Sequence, residues 1–158
     1  MQSTHHRKII SHFVGLSGIG GVQSNFIEYM NNIVLHPSKY HHKIYTFGSV
    51  DSYYQLTNDV LDIRKISNLY RLILDIVSKD VVVHLYNNLS SFKVALLLVL
   101  LPIHKLIVHE RGTIWNQQTT SWLIPRFVAW KASIILSNSF ATKTMLVKKF
   151  SIPSKKIR

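Results

Sequence analysis

An α/β fold, with a parallel sheet and helices on both of its faces, is what this sequence predicts, and three observations carry that prediction. Short runs rich in β-branched residues alternate with longer stretches of helical periodicity along the chain. Glycine or polar turns follow most of the strand-like runs, as βαβ units require. The 158 residues, 47% of them hydrophobic, suffice for a single domain spanning 1–158 with a real core.

The elements follow in order. Arg7 to Val14 reads as a buried strand, and the helix after it places Val22, Phe26, Tyr29, Met30 and Ile33 on one stripe. His42 to Gly48 is a second strand, closed by its glycine, and a short third strand is expected around Asn58 to Lys65. Ile66 to Lys79 is an amphipathic helix with Leu69, Leu72, Ile73, Ile76 and Val77 inward. Asp80 to Asn88 holds three consecutive valines and reads as a central strand. A helix from Ser90 to Leu101 is capped by Ser90 or Ser91 and stopped by Pro102. His104 to Gly112 is a strand, Thr119 to Ala132 a helix with Pro125 near its first turn or at a kink, Ser133 to Ser139 the last strand and Phe140 to Phe150 the last helix. No internal repeat or low-complexity segment interrupts the alternation.

Charge is the strongest compositional signal. Nineteen Lys and Arg against seven acids give +12, and no acid follows Glu110 while nine cations do. Such a field attracts anions: nucleic acid, phosphorylated small molecules or an anionic membrane leaflet. An acidic partner domain that covers the charge is the alternative. The absence of cysteine excludes disulfides and thiolate metal sites. The start of the chain lacks a signal-peptide pattern, and the most apolar window, Val94 to Ile103, is too short to span a bilayer and is interrupted by Pro102. A cytoplasmic protein is expected.

The stretch FVGLSGIGGVQSNFIEYM, Phe13 to Met30, sets Gly15, Gly18, Gly20 and Gly21 between the first strand and its helix. A dinucleotide fingerprint fails there, because Gln23 stands where the third small residue belongs. The acid at the end of the second strand is also missing, Asp51 lying too far into the loop, and no Gly-Lys-Ser/Thr supports a P-loop. What remains is the pair Gly20 and Gly21 opening a helix, where free N–H groups and the dipole suit a phosphate. A merely tight turn is the competing explanation. Ligands of open parallel sheets sit at the carboxyl ends of the strands, which adds His109 to Asn116 and Ser137 to Thr142 as loops of interest.

Taken together, the strand and glycine turn SGIGGVQSNFIEYMNNI, the strand end VHERG and the terminal IILSNSFATKTMLVKKFSIPSKKIR resemble the amino-terminal half of a glycosyltransferase of family 4. That resemblance covers essentially the whole chain. It implies the GT-B fold, in which two Rossmann-like domains face each other across a cleft, with this chain as the acceptor-side domain. Gly20, Gly21 and Val22 match the family's Gly-Gly turn, and Ser137, Pro153, Lys156 and Ile157 match its passage toward the next strand. The resemblance implies transfer of a sugar from a nucleotide-sugar donor to a glycan or lipid-linked acceptor, as in cell-surface polysaccharide synthesis. The family's second domain, with its two-glutamate motif, has no counterpart in the sequence, so a fragment, a split subunit completed by a partner, or a non-catalytic remnant is expected, inactive without that domain.

Residue by residue, the resemblance gives Gly20, Gly21 and Val22 to a diphosphate or phosphorylated acceptor and His109 to the reaction centre. Imidazole suits that place because it donates a hydrogen bond or carries charge near neutral pH; a structural strand-end histidine is the alternative. Glu110 and Arg111 would line the acceptor side, or form only a surface ion pair. Asn116, Ser137 and Ser139 are further substrate-binding candidates, against plain loop polarity. The resemblance implies no cofactor and no metal; the adjacent pairs His5-His6 and His41-His42 point apart on a strand, and no His-Glu-x-x-His occurs. Trp122, Arg126 and Trp130, four apart on a helix beside Phe127 and Lys131, fit either a peripheral contact with an anionic membrane surface or a packed cation–π face. A basic nucleic-acid-binding module is the rival function, but no nucleic-acid motif supports it.

Overall fold

The computed structural model describes residues 8–35, 40–56, 58–86, 100–110 and 123–158. Among them, strands and helices alternate: β1 (Ile9–Phe13), α1 (Gly21–Leu35), β2 (His41–Thr46), β3 (Val60–Asp62), α2 (Ile66–Val77), β4 (Val81–Tyr86), β5 (Leu106–Glu110), α3 (Leu123–Lys131), β6 (Ile134–Ser137) and α4 (Phe140–Phe150). A 3-10 turn, Ser154–Lys156, follows. The six strands form one sheet in the order β3-β2-β1-β4-β5-β6, and every pairing is parallel. This is the expected Rossmann-like α/β fold.

Alternation along the strands divides the side chains between two layers. Phe13, Tyr45, Val83, Leu85 and Val108 join a large core with Leu72 and Ile76 of α2, Val128 and Ala129 of α3, and Leu146 and Phe150 of α4. A smaller cluster has Val14, Leu16, Ile44 and Tyr86 against Phe26 and Met30 of α1. Helices therefore cover both faces. Within α1 the predicted stripe holds: Phe26 and Met30 are buried, Val22 and Ile33 pack at the margin, and Tyr29 is partly exposed.

Local chemistry sets the boundaries. Ser139 caps α4 by accepting a hydrogen bond from the Thr142 N–H at 3.1 Å, and Ser151 ends the helix in the left-handed conformation, φ 54°. Lys156 Nζ donates to the carbonyls of Ala129, Trp130 and Ala132 at 2.9–3.1 Å, satisfying the end of α3. Gly48, with φ +116°, follows β2 where the sequence placed the strand's close. Val77 departs from expectation: the last residue of α2 is 52% exposed, because one more helical step carries it past the seam that Leu72 and Ile76 fill. The expected helix from Ser90 to Leu101 lies almost wholly outside the described residues. Ile157 forms a parallel bridge with Ile135, so the chain runs alongside β6 at residue 157.

Candidate functional site

In this strand order the chain leaves β1 toward β2 on one side and continues from β4 toward β5 on the other. The topological switch point is therefore between β1 and β4, and crevices open at their carboxyl ends. An open cleft of about 610 Å³ lies at this end of the sheet. Its described lining is Gly21, Val22 and Asn25 from α1, His109 from β5, and Ser137 and Asn138 from the end of β6. Residues from three distant stretches of sequence thus meet, four of them singled out from sequence. Asn25 and Asn138 are additions. Asn25 follows Gly21 by one helical turn and so shares its face, a signal the sequence did contain. None of the described lining residues is acidic.

The glycine turn has a packing reason for one of its small residues, Gly20. The first helical bond of α1 runs from the Ser24 N–H to the Gly20 carbonyl at 2.9 Å, so the amides of Gly21, Val22 and Gln23 have no acceptor within the helix. Gly20 belongs to the turn's internal bracing: its N–H donates to Tyr54 Oη at 3.2 Å, and that hydroxyl donates to the Gly18 carbonyl at 3.1 Å. A Cβ on Gly20 would sit 2.8 Å from Gln23 Oε1. Gln23 itself donates from Nε2 to the Gly15 carbonyl at 3.1 Å, so the residue that breaks the dinucleotide fingerprint ties the turn together. At Gly21 neither reason applies. It has no positive φ, and a Cβ there would meet nothing within 4 Å. Asp51 is folded into its own loop, its Oδ1 accepting from the Tyr53 N–H at 3.0 Å.

His109 reaches the cleft half-buried, paired in register with Tyr86 and Leu136. Its ring stacks on His84 at 5.7 Å and meets Tyr86 at 5.4 Å. Glu110, the next residue, is fully buried and alternates onto the side of Leu106 and Val108, so it is not among the cleft lining. Ser137 lines the cleft while its Oγ donates to the Arg158 carbonyl at 3.1 Å. Ser139 is the helix cap described above, and its Oγ also lies 2.9 Å from Thr142 Oγ1, which donates to Asn138 Oδ1 at 2.9 Å. From sequence Ser139 is a substrate-binding candidate, and its position directly before a helical run is the signal for a cap. Arg111 and Asn116 lie outside the described residues.

Other features contrast with this cleft. A second cavity of about 540 Å³, at the start of β2, contains Lys43, Tyr45 and Asp75. There Lys43 Nζ donates to both Asp75 oxygens at 2.7 and 2.8 Å, and Tyr45 Oη donates to the same carboxylate at 2.6 Å. Burial, and then that hydrogen bond, hold the Tyr45 hydroxyl protonated far above its usual range. This network satisfies itself. On α3, Phe127 packs against the core while Trp130 is 69% exposed, with Lys131 Nζ 5.5 Å from its ring. Trp130 therefore stands outward, and its cation is Lys131; Trp122 lies outside the described residues. Among the described residues there is no group of side chains arranged to hold a metal, and no helix is long and apolar enough to cross a membrane.

No protein-family model matches the chain, and no curated protein is significantly similar to it.

The cleft offers chemistry suited to an anion. The open amides at the start of α1 carry the positive end of the helix dipole. Asn25 adds an amide that both donates and accepts, and His109 adds an imidazole from β5.

Proposed function

We propose that the chain is the acceptor-side, amino-terminal domain of a GT-B glycosyltransferase, which moves a sugar from a nucleotide-sugar donor to a glycan or lipid-linked acceptor. The observation that carries this reading is Gly21. It opens α1 at the cleft, and the space where a Cβ would stand has no neighbour within 4 Å, which leaves the first-turn amides open to a ligand approaching from outside. A diphosphate is the ligand that open helix amides fit best in a cleft whose described lining carries no acid. In this reading the first-turn amides of α1 and Asn25 hold the diphosphate or a phosphorylated acceptor, and Ser137 and Asn138 contact the sugar side.

His109 then faces the anomeric centre, where it donates a hydrogen bond to charge developing in the transition state. A second α/β domain supplies the other wall and most contacts to the nucleotide, either as a continuation of the chain or as a partner subunit. The exposed Trp130, flanked by Lys131 and Arg126, is the part of the surface that suits an anionic membrane and brings the cleft to a lipid-linked acceptor.

Gly21→Val tests the assignment. The side chain projects into open space, so the melting temperature stays close to that of the wild type while the isopropyl group blocks the amides. Sugar transfer by the native protein in its own cell extract is expected to fall by roughly tenfold or more, the loss of one to two charge-assisted hydrogen bonds. Unchanged transfer with a correctly folded variant contradicts the proposal.

A further inference from the structure

Four histidines cross the sheet in one row on the face that α1 covers. His42 of β2, His12 of β1, His84 of β4 and His109 of β5 have successive ring separations of 5.3, 5.6 and 5.7 Å. Parallel register produces the row: His12 lies opposite His84, while His109 lies opposite Tyr86 and His42 opposite Ile10, one residue pair toward either end of the strands. His109 opens on the cleft at one end, and His42 is half-buried near the sheet edge at the other.

His12, in between, is fully buried. Its Nε2 lies 2.9 Å from His42 Nδ1, a bond that needs one proton between the two atoms and cannot form with two. Its Nδ1 has no hydrogen-bond partner. Above it, α1 sets Phe26 at 5.5 Å and Tyr29 at 5.9 Å.

Among the described residues, the ionisable groups nearest His12 are these. α1 presents the Tyr29 hydroxyl, and its one carboxylate, Glu28, lines a separate outer pocket with Tyr53 and Tyr54. β4 presents the Tyr86 hydroxyl, 3.3 Å from His84 Nδ1. On β5, Glu110 alternates to the opposite side from His109. At the start of β2, His41 and His42 share a cavity with Asp59 and Asp75, of which Asp75 is already bound by Lys43 and Tyr45. A proton added to His12 would place a charged ring beneath Phe26 with nothing to receive its Nδ1–H.

We propose that the His12–His42 pair within this row is an acid-sensitive latch for α1: uncharged, it seats the helix and completes the cleft, and protonated, it releases the helix and dismantles the cleft. The consequence for the cleft is direct, since Gly21, Val22 and Asn25 all ride on α1. The release is local because α1 rests on the smaller of the two hydrophobic clusters, while α2, α3 and α4 share the larger one.

The sign follows from linkage. Burial first, then the neighbouring His84 and His42, push the His12 imidazole down to about 3, and burial with His41 pushes His42 down as well. Released, His12 and His42 take up protons at their ordinary value near 6.5, so between there and about 3 the released state binds more protons and gains population as pH falls. The latch does not depend on the sugar-transfer reading.

Hydrogen exchange of the full chain between pH 8 and 5, corrected for intrinsic rates, tests it. Protection of residues 21–35 is expected to be flat above pH 6.5 and to fall roughly tenfold per pH unit below it for each imidazole that the seated helix keeps neutral. Residues 140–150 should keep their protection. His12→Phe removes the buried imidazole and should take about one proton out of that slope. His42→Gln, at a half-buried position that the fold tolerates more readily, should lower the slope too. The proposal is overturned by a wild-type slope of zero, by parallel loss of protection in α1 and α4, or by an unchanged slope in whichever of the two variants folds.

Discussion

Exchanging His109 for glutamine in the native protein is expected to lower incorporation of labelled sugar into product by roughly a hundredfold or more, the effect of removing one preorganised transition-state donor. Glutamine keeps an N–H donor and a comparable volume but loses the flat ring that stacks on His84 and Tyr86, so the donor is no longer held toward the cleft. In the proposed reaction, stacking on His84 and contact with Tyr86 would hold the imidazole toward the cleft. Thermal stability should change little, because the residue is half-buried and sits outside the two hydrophobic clusters. Transfer within about twofold of wild type would remove His109 from the reaction centre and leave it a strand-end histidine of the sheet.

Phe26→Ala should be the most destabilising single change on the α1 side, by about 3–5 kcal/mol in urea unfolding. Phe26 is 1% exposed. Its ring meets Tyr86 edge-on at 5.0 Å and His12 at 5.5 Å, so truncation leaves a cavity at the centre of the smaller cluster. The neighbours cannot close it without moving strands that are paired on both sides. A loss below about 1 kcal/mol would mean that α1 is not seated on the sheet as described.

The sheet was legible because its strands announce themselves. Val81 to Val83 are three β-branched residues between polar turns, and they form the central β4. The last helix runs from Phe140 to Phe150, as the sequence placed it, and the structure adds the Ser139 cap and the left-handed Ser151 that bound it. Val77 was misjudged because periodicity gives a direction around the helix but not the width of the groove that receives it. The cleft was partly legible: Gly21, Val22, His109 and Ser137 do come together, while Gly20 braces the turn and Ser139 caps α4. Asn25 needed only the observation that it shares a helical face with Gly21.

The histidine row was not legible at all. Its members are single residues on four strands, and only the register of β1 against its neighbours puts His12 beside His84 and His42. Register in a buried parallel sheet is decided by packing between distant segments, not by any local pattern. The sequence drew attention to His41-His42 as an adjacent pair, whereas the structural partner of His42 is His12, thirty residues away.

The proposed transferase role requires that the cleft at the start of α1 bind a diphosphate. The most direct measurement is a titration of the isotope-labelled chain with inorganic pyrophosphate and then with UDP- and GDP-sugars, followed by backbone and histidine NMR shifts. Saturable shifts are expected, concentrated at Gly21, Val22, Asn25, His109, Ser137 and Asn138, with the Lys43–Asp75 cavity silent. Shifts spread over the basic surface and lost in moderate salt, or confined to the Lys43–Asp75 cavity, would contradict it.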